Sequence, residues 1–134
     1  MLEVPASAEK KQTVLLAEDD EAIRSTLQSL LELKGYDVQF AENTPDTIEL
    51  LRHDTFDLII SDYLMPGGGG REILRFLQEG SQHPAIIMIT GLADEQLFAE
   101  LTSSGVDRCL SKPFRLATLI ETIEDIVRER AEEK

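Results

Sequence analysis

Cysteine, tryptophan and basic residues are scarce in this sequence. Its 134 residues include one cysteine, no tryptophan, 13 Lys and Arg, and 26 Asp and Glu, which gives a formal net charge of −13. The single cysteine, Cys109, excludes an internal disulfide. Lysine and arginine form no cluster, which argues against nucleic acid as a partner, because phosphate backbones are bound by clustered cations. We expect part of the excess acid to hold cations instead.

Long apolar runs are also missing. No run approaches the roughly 18 to 20 residues that a membrane span requires. The first eleven residues lack the positive, apolar and small-residue segments of a secretory signal, so we expect a cytoplasmic protein with no membrane partner. The hydrophobic fraction of 42% is still high enough for a core, and the length predicts one domain.

Short apolar segments alternate with segments of helical period five times along the chain. The first strand is predicted at Thr13 to Ala17, and the helix after it is capped by Asp20 and ends at Lys34-Gly35. Later strands are predicted at Asp37 to Ala41, Leu58 to Ser61, Ala85 to Thr90 and Arg108 to Ser111, with helices from Asn43 or Thr44, after Gly67 to Gly70, from about Ala93 to Thr102, and after Phe114 to about Glu129. This alternation predicts an α/β fold, a doubly wound five-stranded parallel sheet in a three-layer αβα sandwich.

The two ends of the chain differ from this pattern. Residues 1–12 are polar and predict a flexible lead-in, residues 13–129 form the predicted domain, and residues 130–134 predict a frayed, charged tail.

Polar side chains follow the carboxyl ends of the predicted strands, where open parallel sheets bind their ligands. Glu18 and Asp19 follow the first strand, Asp62 follows the third, Thr90 ends the fourth, and Lys112 follows the fifth. Three carboxylates this close repel one another unless a cation lies among them. Oxygen ligands with room for water suit Mg²⁺, so we predict a magnesium site.

A carboxylate can also be the nucleophile in phosphoryl transfer. Asp62 stands alone on its strand and is the best placed for this role, while Glu18 and Asp19 hold the metal. Lys112 and the Thr90 hydroxyl would then meet the phosphoryl oxygens. Taken alone, Glu18, Asp19 and Asp20 could instead serve only as the acidic start of the first helix.

Four segments, in this order, resemble the response-regulator receiver domains of two-component signalling. They read Leu-Leu-Ala-Glu-Asp-Asp-Glu, Asp-Leu-Ile-Ile-Ser-Asp-Tyr-Leu-Met-Pro, Ile-Ile-Met-Ile-Thr-Gly and Leu-Ser-Lys-Pro-Phe. The resemblance implies a flavodoxin-like sheet with strand order 2-1-3-4-5. It also implies these roles: Asp62 as phosphoacceptor, Glu18 and Asp19 as the Mg²⁺-binding pair, the Leu64 carbonyl as a further metal ligand, Thr90 as the switch hydroxyl, Lys112 as the lysine that contacts the phosphoryl group, and a cis Lys112-Pro113 peptide.

Three positions depart from the usual receiver pattern. Cys109 stands where these domains commonly carry an aromatic residue, so the usual aromatic switch signal is in doubt. The run Gly68 to Gly70 removes a side-chain cap for the third helix and predicts a mobile loop. Gly91 follows the switch threonine where Ala is more usual, and it leaves access to Asp62 relatively open.

The resemblance implies a phosphorylation switch that accepts a phosphoryl group from a histidine kinase or histidine phosphotransfer protein and signals through a partner-binding surface. We expect it to catalyse only its own phosphoryl transfer and dephosphorylation. The cognate kinase, the output partner and a homodimer formed on phosphorylation are left open. Three alternatives remain. A haloacid-dehalogenase-like phosphohydrolase would need an acid where Leu64 stands, a flavodoxin-like cofactor binder would need a hydroxyl-rich loop where the acids at Glu18 to Glu21 stand, and a receiver-fold interaction module would have lost its site residues.

Overall fold

Five strands and five helices alternate in the computed structural model, which describes residues 11–92 and 94–132. The elements in chain order are β1 (Thr13–Ala17), α1 (Glu21–Leu33), β2 (Asp37–Ala41), α2 (Thr44–His53), β3 (Leu58–Asp62), α3 (Gly69–Glu79), β4 (Ala85–Thr90), α4 (Glu95–Ser103), β5 (Arg108–Ser111) and α5 (Leu116–Glu132). No helix in the described residues is both long enough and apolar enough to span a bilayer.

The five strands form one parallel sheet in the order β2-β1-β3-β4-β5, as predicted. The register aligns their carboxyl ends, because Ala17 pairs with Ala41 and Ser61, and Thr90 pairs with Ser111. Residues that follow the strands therefore emerge along one edge of the sheet.

Helices cover both faces of the sheet, which confirms the three-layer prediction. Alternate residues of β1 point to opposite faces, so Leu15 packs with the core under α2, α3 and α4, while Leu16 packs with the core under α1 and α5. Both side chains have almost no exposed surface. Strands β1, β3 and β4 are buried along nearly their whole length, which is why their sequences are continuous apolar runs.

Side-chain caps set the starts of three helices. The Asp20 carboxylate accepts the Ile23 N–H, as predicted, and Asn43 caps α2 in the same way. Asp94 caps α4, so this helix begins at Glu95 and the predicted start near Ala93 is too early. Ala93 itself lies outside the described residues.

The last helix continues beyond its predicted end near Glu129. It runs through Glu132, and Arg130 on this extra turn donates to the His83 carbonyl at 2.7 Å and pairs with Asp107 at 3.6 Å. These contacts with other parts of the chain stabilise the last turn of α5, in a region that the sequence predicts to be a frayed tail. Residues 133 and 134, and residues 1–10 of the predicted lead-in, lie outside the described residues.

The glycine run before α3 is held by residues distant in sequence. Gly68 provides no side-chain cap, as predicted. Thr44 Oγ1 instead accepts the Gly69 N–H at 2.8 Å, and the Tyr63 carbonyl accepts the Gly70 N–H at 2.8 Å. Gly69 has a φ of +70°, and a Cβ there would collide with the Tyr63 carbonyl oxygen. The start of α3 therefore requires glycine for its backbone and for its space.

Candidate phosphoacceptor and metal site

Three carboxylates converge at the carboxyl edge of the sheet. Glu18, Asp19 and Asp62 each place one oxygen within 4.8 Å of the others. Glu18 and Asp62 are 2% and 4% exposed, whereas Asp19 faces solvent. The buried pair lies inside the fold while Asp19 leaves the cluster open on one side, which gives a ligand access from solvent.

Every polar group of Glu18 forms a hydrogen bond. Its N–H donates to the Ala41 carbonyl at 3.1 Å, and its own carbonyl accepts from Arg24 Nη1 at 3.1 Å. Its carboxylate accepts the Asp20 N–H at 3.1 Å and Lys112 Nζ at 3.2 Å. Burial raises the pKa of Glu18, but its hydrogen bonds with Asp62, Asp20 and Lys112 outweigh burial and leave the pKa below its usual value.

Lys112 lies between the two buried acids. Its Nζ is 2.8 Å from Asp62 Oδ1 and 3.2 Å from Glu18 Oε1. Burial lowers the pKa of Lys112, but contact with Asp62 and Glu18 more than reverses this, so the pKa rises and the amine stays charged. Its backbone N–H donates to the Thr90 carbonyl, and the Lys112-Pro113 peptide is cis, as predicted.

Asp62 carries the strongest perturbation at this edge. Burial, then the hydrogen bond with Glu18 and its negative charge, raise the pKa of Asp62 to about 8 against the opposing effect of Lys112. Oδ1 forms an ion pair with Lys112 Nζ at 2.8 Å, and no group in the described residues donates a hydrogen bond to it. A buried oxygen without a donor, beside two further carboxylates, fits a divalent cation, because oxygen ligands and negative charge are what Mg²⁺ prefers.

The other predicted site residues lie along the same edge. Thr90 is 3% exposed, and its Oγ1 accepts the Leu92 N–H at 3.0 Å. Leu64 lies two residues after Asp62 with a largely exposed side chain, and the role of its carbonyl as a metal ligand remains a prediction. A Cβ at Gly91 would meet nothing within 4 Å, and the effect of this glycine on access to Asp62 remains a prediction.

Cys109 is half-buried and packs beside the core under α4. Burial raises the pKa of its thiol, which does not favour a reactive thiolate. Cys109 therefore serves as a small packing residue beside the core.

Arg24 also belongs to the site, because its Nη1 donates to the Glu18 carbonyl, but it is not among the site residues predicted from the sequence. A signal for it was present, because Arg24, Leu27 and Leu31 follow the i, i+3, i+7 spacing of one helix face and all three are buried. An arginine on the buried face of a helix is unusual enough to mark a functional candidate.

The structure thus combines a doubly wound sheet with a buried aspartate, an acidic pair and a lysine at its carboxyl edge. This is the arrangement that the resemblance to receiver domains implies. The family model described as "Response regulator receiver domain" matches residues 14–124. The chain is 35% identical over 114 residues to the response regulator receiver protein CpdR of Brucella abortus, and the match covers 85% of this chain and 95% of that protein. It is 36% identical over 121 residues to the CpxR homolog of Haemophilus influenzae, a transcriptional regulatory protein, and covers 88% of this chain but 51% of that protein.

Solved structures agree with these sequence matches. The receiver domain protein of Methanospirillum hungatei superposes with a TM-score of 0.86 at 26% identity, covering 93% of this chain and all of that chain. The chain belongs to the response-regulator receiver domain family of two-component signalling. It spans nearly the whole of CpdR but about half of the CpxR homolog.

Proposed function

We propose that this receiver domain is switched by phosphorylation of Asp62. One observation carries the proposal: Asp62 is a buried carboxylate whose Oδ1 accepts no hydrogen bond from the described residues, and it faces Glu18, Asp19 and the charged amine of Lys112. In the reaction, the Asp62 carboxylic acid first loses its proton to solvent, and an oxygen of the resulting carboxylate attacks the phosphorus of a phosphohistidine. The P–N bond breaks, a P–O bond forms, and the donor histidine leaves with the electron pair of the broken bond.

Magnesium is the proposed cofactor. Glu18, Asp19, Asp62 and the Leu64 carbonyl would hold it, and it would neutralise charge on the phosphoryl oxygens. The exposed position of Asp19 leaves the cluster accessible to a phosphoryl group from solvent or from a partner.

Lys112 and Thr90 have separate proposed tasks. Phosphorylation adds about 1.5 to 2 negative charges to an edge that is already acidic. The Lys112 amine, now paired with both buried acids, would bind a phosphoryl oxygen and offset part of this charge. The Thr90 hydroxyl, which accepts the Leu92 N–H, would rotate to donate to another phosphoryl oxygen and so move the loop that follows β4.

The partners are proposed from the family. A histidine kinase or a histidine phosphotransfer protein would donate the phosphoryl group in the cytoplasm. The output would leave through the face of α4, β5 and α5, whose conformation phosphorylation would bias. The chain covers about half of the CpxR homolog. The proposal therefore leaves open which protein is the output partner and whether phosphorylation produces a dimer.

The domain is proposed to catalyse only its own phosphorylation and dephosphorylation. Leu64 occupies the position where a haloacid-dehalogenase-like phosphohydrolase would carry its acid, and its side chain is apolar and exposed. Turnover of small phosphate esters is therefore not expected.

Incubation with acetyl phosphate and Mg²⁺ tests the proposal. Intact-mass analysis should show the addition of one phosphoryl group to the wild type, and none without Mg²⁺ or in Asp62→Asn. Asp37→Asn makes the same chemical change at an exposed position on β2 and should be modified like the wild type. Modification that persists in Asp62→Asn, or that fails in the wild type at saturating Mg²⁺, would overturn the assignment.

A further inference from the structure

Arg24 is a buried cation whose nearest carboxylate in the described residues is largely exposed to solvent. Arg24 is 8% exposed to solvent. The one carboxylate within 4.0 Å of it in the described residues is Glu42, at 3.7 Å, and that side chain is 61% exposed. The closest polar contact is the neutral carbonyl of Glu18 at 3.1 Å, and the guanidinium carbon lies 4.8 Å from the centre of the Phe40 ring.

Fold stability alone explains this arrangement poorly. Burying a guanidinium costs several kcal/mol unless a well-placed anion compensates it, and a solvent-screened carboxylate compensates weakly. An apolar side chain at this position would pack against Phe40 without that cost. The contact with the Glu18 carbonyl is therefore the feature that requires an explanation.

That carbonyl belongs to the peptide that joins the two predicted metal ligands. A peptide unit is planar, so fixing the carbonyl of Glu18 also fixes the nitrogen and Cα of Asp19. Glu18 is anchored independently, through its N–H and both carboxylate oxygens. The Asp19 carboxylate takes part in none of the hydrogen bonds among the described side chains, so its direction depends on the backbone that carries it.

We propose that Arg24 is a positioning residue for the metal site. Its guanidinium holds the Glu18-Asp19 peptide so that the backbone of Asp19 directs its carboxylate toward those of Glu18 and Asp62. Phe40 and Glu42, at the end of β2, hold the guanidinium in turn. The inference rests on the proposed Mg²⁺ site and adds to it a residue that does not touch the metal.

Electrostatics and positioning predict opposite signs for the loss of Arg24. Removing a positive charge beside an acidic cluster should strengthen cation binding if Arg24 acts only through its charge. If Arg24 acts by positioning, Arg24→Met should weaken Mg²⁺ binding by about 10- to 100-fold, the usual effect of losing a residue that orients a metal ligand. Arg75→Met on α3 makes the same change of charge at a distant exposed site and should leave Mg²⁺ affinity unchanged.

The experiment is a calorimetric titration of the full chain with Mg²⁺, at a temperature where circular dichroism shows each variant folded. Amide spectra of the metal-free protein supply a second readout. The Asp19 and Asp20 resonances should shift in Arg24→Met and stay in place in Arg75→Met. If Arg24→Met does not fold, Arg24→Lys decides, because a shorter point charge cannot reproduce the guanidinium contact and should weaken binding by at least about threefold.

Each outcome has a separate meaning. If the wild type binds no Mg²⁺ and is not phosphorylated, the proposed function fails. If the wild type binds Mg²⁺ and Arg24→Met binds it as tightly or more tightly, with unshifted Asp19 resonances, the positioning role alone is overturned. If Arg24→Met does not fold, the positioning role is overturned when Arg24→Lys binds Mg²⁺ with the affinity of the wild type.

Discussion

Replacing Asp62 by Asn should stabilise the metal-free protein, and the gain should grow as the pH rises from 5 to 7. The pKa of Asp62 is raised to about 8 by burial and by Glu18, whereas the unfolded chain has the ordinary value of 3.8. Between these values the native state retains a proton that the unfolded state has lost. Stability therefore falls with rising pH across this window, and the loss is complete above pH 8. The asparagine side chain does not titrate, so the variant avoids this loss.

The size of the effect follows from the same difference in bound protons. One proton retained across one pH unit corresponds to about 1.4 kcal/mol. From pH 5 to pH 7, the advantage of Asp62→Asn should therefore increase by on the order of 2 to 3 kcal/mol. Glu18 and Lys112 do not contribute within this range. The pKa of Glu18 is lowered from 4.5 and the pKa of Lys112 is raised from 10.5, so both groups titrate outside pH 5 to 7.

Urea unfolding in EDTA at pH 5, 6 and 7 measures this difference in the free energy of unfolding. Asp37→Asn makes the same chemical change at an exposed position on β2 and serves as the matched control in each titration. Adding Mg²⁺ should stabilise the wild type and reduce the advantage of Asp62→Asn, because the cation binds the ionised carboxylates of the native state. An offset for Asp62→Asn that stays constant from pH 5 to 7 would show that Asp62 titrates normally and would refute the reasoning.

Two further predictions concern the start of α3. Thr44→Val removes the hydroxyl that accepts the Gly69 N–H and should lower the free energy of unfolding by about 1 kcal/mol, while Thr44→Ser, which keeps the acceptor, should lose less. Equal losses for the two variants, measured by urea unfolding, would argue that the methyl packing matters and the cap does not. Gly69→Ala should cost more than about 1 kcal/mol, because its φ is +70° and its Cβ would meet the Tyr63 carbonyl, whereas Gly91→Ala, with nothing within 4 Å, should be neutral or slightly stabilising. Equal thermal stabilities for these two alanine variants would contradict the assigned conformation of the glycine run.

The order of elements and the edge that carries the site were predictable because their signals are local or topological. The apolar runs of β1, β3 and β4 are too short for helices and too continuous for a half-exposed sheet. Asp20 and Asn43 mark helix starts through contacts three residues along the chain. Once the sheet is parallel, residues such as Asp62 and Lys112 that end or follow strands must share an edge.

The tertiary structure decided what depends on contacts between distant residues. Thr44 caps a helix that begins 25 residues later, and Arg130 extends α5 by binding a carbonyl 47 residues earlier. The raised pKa of Asp62 arises from its burial and from its contact with Glu18, against the opposing effect of Lys112, and no spacing in the sequence reveals these contacts.

The acidic composition illustrates the same division. The sequence by itself determined that acids far outnumber bases and that three of them follow the ends of predicted strands. Only the folded chain brought oxygens of Glu18, Asp19 and Asp62 within 4.8 Å and turned Arg24 inward against the peptide between the first two. Local sequence encodes which residues reach the edge of the sheet, whereas their distances, burial and charge state depend on packing between elements.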